Sequence, residues 1–164
     1  MKRIPIMLIL LLFFSCAKKE AKKENFQPTI LLKEITKNEK VNKIIWDFRL
    51  TNIEINRSGK QNKEYEIFRN NLTEKELIQI TECEVPLLRC IAFKTLVERH
   101  YINIRKIFNR HINDYALVKG HYYDVLLSEP VKIFMLNQLS PFSNSKFKFS
   151  KKEFRKMQDE YYNK

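Results

Sequence analysis

From residue 27 to the end of the chain, apolar side chains recur mostly at helical spacing. In one segment they fall at offsets of 0, 3, 4 and 7, which marks one face of a helix. The residues of this face are Val41, Ile44, Ile45 and Phe48, and Trp46 and Leu50 widen it. A second stripe consists of Tyr101, Ile104, Phe108 and Ile112. Residues 87–99 are apolar around most of the circumference, which predicts a helix buried by neighbours on several sides.

Local signals indicate where these helices begin. Residues 73–76 and 150–153 read T-E-K-E and S-K-K-E, and both are capping boxes, in which a hydroxyl and a carboxylate satisfy the first backbone N–H groups. Pro86 and Pro130 suit the beginnings of two further helices. The last helix carries Phe154, Met157 and Tyr161 on one side. These patterns predict six or seven short helices joined by short loops, an all-α fold.

The segment that begins at Pro86 reads PLLRCIAFKTL. With Pro86, Arg89, Ala92 and Leu96 in these positions, it resembles the second helix of a HEAT-like repeat. Residues 107–114, IFNRHIND, with residues 115–118 after them, resemble the beginning of the next unit. The resemblance covers residues 71–118 and implies short helical hairpins stacked as a degenerate array. It also implies that Arg89 and Asp114 tie adjacent units together. The alternative is a generic helical domain without true repeats.

The N-terminus carries a targeting signal. Lys2 and Arg3 precede an apolar run of about eleven residues, which is short for a membrane span of roughly 20 residues and typical of a secretory signal. Residues 12–16, LFFSC, resemble the lipobox of bacterial lipoproteins. That resemblance implies cleavage before Cys16 and diacylation of its thiol. The alternatives are a buried N-terminal helix and a structural role for Cys16.

Three regions follow from these signals. Residues 1–15 are expected to be the signal peptide, residues 16–26 the lipidated cysteine with a charged flexible tether, and residues 27–164 the helical domain. The arrangement resembles small Bacteroidota lipoproteins of uncharacterised function. It implies a lipid-anchored protein of the bacterial cell envelope, at the outer membrane on the periplasmic or surface side.

Composition narrows the function further. The chain has 164 residues and only two glycines, which excludes the glycine-rich phosphate loops of Rossmann and P-loop proteins. It has 31 Lys and Arg against 19 Asp and Glu, a net charge of +12. Basic residues crowd the C-terminal stretch among aromatic ones, namely Lys146, Lys148, Lys151, Lys152 and Arg155. Behind a secretion signal these residues favour anionic lipid headgroups over nucleic acid as a partner. The alternative is a plain basic surface above core aromatics.

Candidate catalytic chemistry is sparse. The three histidines, His100, His111 and His121, are 11 and 10 residues apart, which is not the spacing of metal ligands on one helical turn. The sequence has no GxSxG signature and no paired-carboxylate signature, so neither catalysis nor a cofactor is expected. Cys83 and Cys90 bracket the turn at Pro86 and are either a disulfide or two core thiols.

The sequence therefore predicts a lipid-anchored helical module that binds or scaffolds another envelope protein or a peptide. The alternative, from a different class, is an immunity or inhibitor-type antagonist of a toxin or hydrolase. An enzyme with an unrecognised site is the third and least favoured hypothesis.

Overall fold

The computed structural model describes residues 25–50, 63–122 and 125–162. In chain order these residues form α1 (Leu32–Ile35), α2 (Glu39–Leu50), α3 (Lys63–Asn71), α4 (Glu74–Thr81), α5 (Pro86–Glu98), α6 (Ile104–Arg110), β1 (Leu117–Tyr122), β2 (Val125–Pro130), α7 (Val131–Gln138) and α8 (Lys151–Tyr162). The predicted all-α class is confirmed, with one small hairpin added. The predicted signal peptide, Cys16 and nearly all of the tether lie outside the described residues.

The predicted helix starts are confirmed. The Thr73 hydroxyl accepts a hydrogen bond from the Glu76 N–H, while the Glu76 carboxylate accepts one from the Thr73 N–H. Ser150 and Glu153 make the same reciprocal pair at the beginning of α8. Pro86 occupies the first turn of α5, where a missing N–H costs nothing. These starts depend only on neighbouring residues, because the first N–H groups of any helix need partners.

Helix α5 is the centre of the domain. It contacts α4, α6, α7 and β1. Its buried residues are Leu88, Arg89, Cys90, Ile91, Ala92, Phe93, Thr95, Leu96 and Val97. The helix ends in a Schellman motif, in which the Tyr101 N–H reaches the Leu96 carbonyl and the His100 N–H reaches the Val97 carbonyl. His100 adopts the required left-handed conformation, with φ of 57°. The predicted burial of this helix on several sides is confirmed.

Two apolar stripes extend less far than the sequence predicted. Val41, Ile44 and Ile45 are buried, but Trp46 is 56% exposed. At about 100° per residue, a position two residues after Ile44 faces away from the core. Similarly, α6 ends at Arg110, so Ile112 lies beyond the helix and is 44% exposed.

Residues 107–114, with residues 115–118 after them, were predicted to begin a further helical unit, but the chain is helical only as far as Arg110. The chain instead enters β1, which pairs antiparallel with β2 in the register Val118 to Glu129. Valine and tyrosine favour strands, because β-branched and aromatic side chains fit a pleated surface. Val118 is buried while Leu117 is exposed, as expected of alternating positions in a strand.

A buried ion pair joins α5 to the loop that follows α6. Arg89 and Asp114 are each 2% exposed. The Arg89 Nε and Nη2 atoms lie 2.9 Å from the two Asp114 carboxylate oxygens, and Nη1 donates to the Cys83 carbonyl at 2.8 Å. The His111 Nδ1 atom lies 3.2 Å from Asp114 Oδ2. Bidentate geometry with further hydrogen bonds is what offsets the cost of removing both charges from water.

The N-terminal segment of the described chain covers this ion pair. The Phe26 ring lies 4.3 Å from the His111 ring, centroid to centroid, and 5.0 Å from the Arg89 guanidinium carbon. The Phe26 N–H donates to the Asn113 carbonyl, and the Thr29 N–H donates to the Glu82 carbonyl. Phe26, which the sequence assigned to the tether, therefore packs against the folded domain.

We expect Arg89→Ala to lower the free energy of unfolding by about 3–5 kcal/mol, because it leaves the Asp114 carboxylate buried without its partner. The control is Lys94→Ala, which removes the partly exposed Lys94–Glu98 pair and the contact of the Lys94 ammonium with the Tyr65 ring, and should cost about 1 kcal/mol. Urea denaturation of both variants measures the difference. A loss for Arg89→Ala no larger than that of the control contradicts a structural role for the buried pair.

Acid should weaken the domain through Asp114. Burial opposes ionisation of this carboxyl, but the hydrogen bonds from His111 and Arg89 outweigh burial and hold its pKa below the ordinary 3.8. The unfolded chain thus binds the proton more readily, so the contribution is complete above about pH 5 and is lost progressively as the pH falls to the folded pKa.

Urea denaturation across this pH range tests the contribution. The double variant Arg89→Met, Asp114→Leu replaces the pair by apolar side chains of similar size, and it should lose part of the acid dependence. The control variant Asp159→Asn, at an exposed position on α8, should keep the acid dependence of the native chain. Identical pH profiles for the double variant and the native chain would show that Asp114 does not contribute.

Candidate functional site

Helices α6, α7 and α8 line a cavity of about 230 Å³, which we name the α6–α8 pocket. Its lining residues are Phe108, Ile112, Asn113, Tyr115, Lys132, Ile133, Leu136, Met157, Glu160 and Tyr161. Most of these side chains are apolar or aromatic. Ile112 and Tyr115 are exposed, so the pocket reaches the protein surface.

Each helix contributes to the pocket because one side of it faces the core. Phe108 of α6 is buried and contacts the Phe149 ring edge-on at 5.4 Å. On α8, Phe154 is buried while Met157 and Tyr161 are half-buried, and the spacing of three and four residues places them on one side of the helix. The predicted inner side of this last helix is confirmed.

Lys132 supplies the positive charge of the pocket. Its ammonium nitrogen lies 3.8 Å from the Tyr115 ring centroid and 4.7 Å from that of Tyr161. A cation above an aromatic face is attracted by the negative centre of the ring. The Lys132 N–H also donates to the Asp114 carbonyl at 3.1 Å, which ties the beginning of α7 to the buried ion pair. The pocket thus combines an apolar floor with a cation held between two aromatic rings.

The size of the pocket limits what it can hold. Pockets for small molecules and cofactors usually measure about 300–1,000 Å³, and this cavity is smaller. A single apolar side chain of another molecule is a better match than a whole cofactor. Protein interfaces commonly concentrate their binding energy on a few such anchoring side chains.

The five repeat-motif residues do not line the pocket, although Asp114 lies between Asn113 and Tyr115, which do. Arg89, Ala92, Leu96 and Asp114 are buried, and Pro86 is half-buried at the beginning of α5. Of these residues the structure brings Arg89 and Asp114 into direct contact. The sequence analysis did not predict the pocket, because its lining comes from three helices and a loop that are separated along the chain.

The basic residues singled out in the sequence are all at the surface. Lys146, Lys148, Lys151, Lys152 and Arg155 are exposed. We name the outer side of α8 the basic face, formed by Lys151, Lys152, Arg155 and Lys156, which line one surface together with Asp159 and Glu160.

The aromatic residues among these lysines belong to the core. Phe149 is buried and Phe147 half-buried. The Arg105 guanidinium lies 4.6 Å from the Phe149 ring centroid, and it donates to the Phe147 carbonyl at 2.9 Å. This stretch is therefore held against the domain, and its cations point outward.

Neither cysteine of the domain has the features of a reactive thiol. Cys83 and Cys90 are free and buried thiols. Burial raises the pKa of Cys83 to about 11 and that of Cys90 well above its ordinary value, so both remain protonated at neutral pH. His111 is buried against Asp114, while His100 is exposed at the end of α5.

Across residues 25–50, 63–122 and 125–162, no three His, Cys, Asp or Glu side chains are arranged to hold a metal ion. In the same ranges no helix is both long and apolar enough to cross a membrane.

Comparison with known proteins gave no significant match to a family model, a curated protein or a solved structure. Functional inference for this chain thus depends on its own residues, above all those of the α6–α8 pocket and the basic face.

Proposed function

We propose that this protein is a lipid-anchored envelope protein that binds a segment of a partner protein in the α6–α8 pocket. The observation that carries the proposal is the apolar pocket of about 230 Å³ with exposed Ile112 and Tyr115 at its rim. Exposed apolar surface beside a cavity is typical of an interaction site, because it costs solubility unless something covers it.

The pocket suits a protein partner in its chemistry as well as its size. A buried anchoring side chain would gain about 25 cal/mol for each Å² of apolar surface removed from water. Lys132, Asn113 and Glu160 provide polar groups beside the apolar floor, which would orient the backbone and the polar side chains of the partner.

The anchor is supported by the sequence. Residues 12–16 resemble a lipobox, and two acyl chains on Cys16 would give stable membrane attachment, whereas one chain attaches only marginally. Phe26, ten residues after Cys16, donates its N–H to the carbonyl of Asn113 on the pocket lining. The tether therefore leaves the domain beside the pocket.

Lipid attachment is tested with Cys16→Ala in the full chain. We expect the native chain to incorporate a radiolabelled or clickable fatty acid and to fractionate with membranes, and we expect the variant to lose both properties. Membrane retention without label in the native chain would indicate that residues 4–14 form an uncleaved anchor. A native chain that is soluble and unlabelled would refute lipidation.

Partner binding is tested with a matched pair of substitutions. Ile112→Arg places a charge at the pocket rim, while Ile102→Arg makes the same change at a position that is 72% exposed and away from the pocket. We expect crosslinking in intact envelopes to capture a protein with the native chain and with Ile102→Arg, and capture with Ile112→Arg to fall at least tenfold. Equal capture by both variants contradicts binding in the pocket.

A second function is an immunity or inhibitor-type antagonist. The net charge of +12 and the exposed basic face favour it, because both suit an acidic toxin or hydrolase. The same crosslinking experiment separates the two functions. A single acidic protein captured in one-to-one stoichiometry supports the antagonist, while several envelope proteins captured through the pocket support the binding module.

A further inference from the structure

We infer that the basic face of α8 binds anionic phospholipid headgroups and holds the domain against the membrane surface beside its anchor. The inference depends on the lipid anchoring in the proposed function, and it adds a second membrane contact. The partner of the basic face is the bilayer surface itself. Two observations identify it: the complementary charge of the two surfaces and the place where the tether leaves the domain.

The charges on α8 are arranged on one side of the helix. Lys151, Lys152, Arg155 and Lys156 occupy positions i, i+1, i+4 and i+5, which lie together on two successive turns. All four side chains are exposed, and within the described part of the chain none of them forms an ion pair. Lys146 and Lys148 add two exposed cations just before the helix.

The carboxylates near the beginning of α8 do not cancel its positive charge. Glu153 is engaged locally, with its carboxylate accepting the Ser150 N–H at 2.7 Å and lying 3.3 Å from Arg105. Asp159 and Glu160 lie one turn further along the same surface. The first two turns of α8 therefore carry four cations against the one carboxylate of Glu153, and the other acidic residues of the helix, Asp159 and Glu160, lie in its last turns.

Packing prevents α8 from turning this charge inward. Phe154 is buried, and Met157 and Tyr161 line the α6–α8 pocket on the opposite side of the helix. Rotation of the helix would expose these apolar side chains to water, which is unfavourable. The basic face is consequently a fixed outer surface of the domain.

The tether brings this surface close to the bilayer. The Phe26 N–H donates to the Asn113 carbonyl at 3.2 Å, and Asn113 lines the same pocket as Met157 and Tyr161 of α8. Asn113 thus lies next to both the exit of the tether and the α8 side chains that line the pocket. Ten residues from Cys16 to Phe26 span at most roughly 33–36 Å when fully extended. An anchored Cys16 would keep Phe26, and the pocket wall at Asn113 beside it, within that distance of the headgroups.

Electrostatic contact of this kind is strong enough to orient a tethered domain. Each Lys or Arg near an anionic membrane surface strengthens binding about fivefold. Four such contacts would favour one orientation of the domain by a factor of several hundred. The contact should vanish at high salt, because the Debye length falls to about 3 Å at ~1 M.

The test uses the full lipidated chain reconstituted into vesicles of phosphatidylcholine, alone or mixed with phosphatidylglycerol. An amine-reactive reagent modifies the lysines, and mass spectrometry gives the rate of modification of each lysine. We expect Lys151 and Lys156 to react at least about fivefold more slowly on the phosphatidylglycerol vesicles. The exposed Lys43 and Lys75 on α2 and α4 should react equally on both, and ~1 M salt should abolish the difference.

Two variants with equal change in charge complete the test. Lys152→Glu with Arg155→Glu should abolish the protection of Lys151 and Lys156. Lys43→Glu with Lys75→Glu should leave it intact. Equal rates on the two kinds of vesicle overturn the inference, and so does slowing that includes Lys43 and Lys75.

The mass of the N-terminal peptide, recorded in the same experiment, separates this inference from the proposed function. An unacylated Cys16 overturns lipid anchoring and the inference together. An acylated and incorporated chain with equal rates on both vesicles overturns the inference alone.

Discussion

The ion pair between Arg89 and Asp114 is the contact on which the rest of the domain depends. Two opposite charges, each 2% exposed, lie where water cannot reach them, so every remaining donor and acceptor of the pair must find a partner within the protein. The Cys83 carbonyl, before α5 in the chain, and His111, directly after α6, supply these partners. The turn before α5, the end of α6 and the covering Phe26 ring consequently meet at one point.

The pocket is a consequence of that junction. The Asp114 carbonyl accepts the Lys132 N–H, and the Ala116 carbonyl accepts the Val131 N–H, so α7 begins at a place set by the loop that carries the buried carboxylate. This start places the Lys132 ammonium between the rings of Tyr115 and Tyr161. A rigid polar junction under the pocket would preserve its shape, which lowers the entropic cost of binding a partner.

Helix α8 links the two proposed contacts. Its inner side lines the pocket through Met157 and Tyr161, while its outer side presents Lys151 and Lys152. If the outer side contacts the bilayer, the pocket lies between the membrane and the body of the domain, close to the exit of the tether at Phe26. A partner would then be bound near the membrane surface.

The sequence by itself determined the features that depend on near neighbours: the helical class, both capping boxes, the proline start of α5 and the burial of that helix. It also singled out Arg89 and Asp114. The strand at 117–122, the exposure of Ile112 and the pocket were decided by tertiary structure, because they depend on where α6 stops and on which distant side chains pack beside it. Ile112 and Tyr161 lie far apart in the chain, and no spacing rule relates them. Lipidation of Cys16 stays a prediction from the sequence.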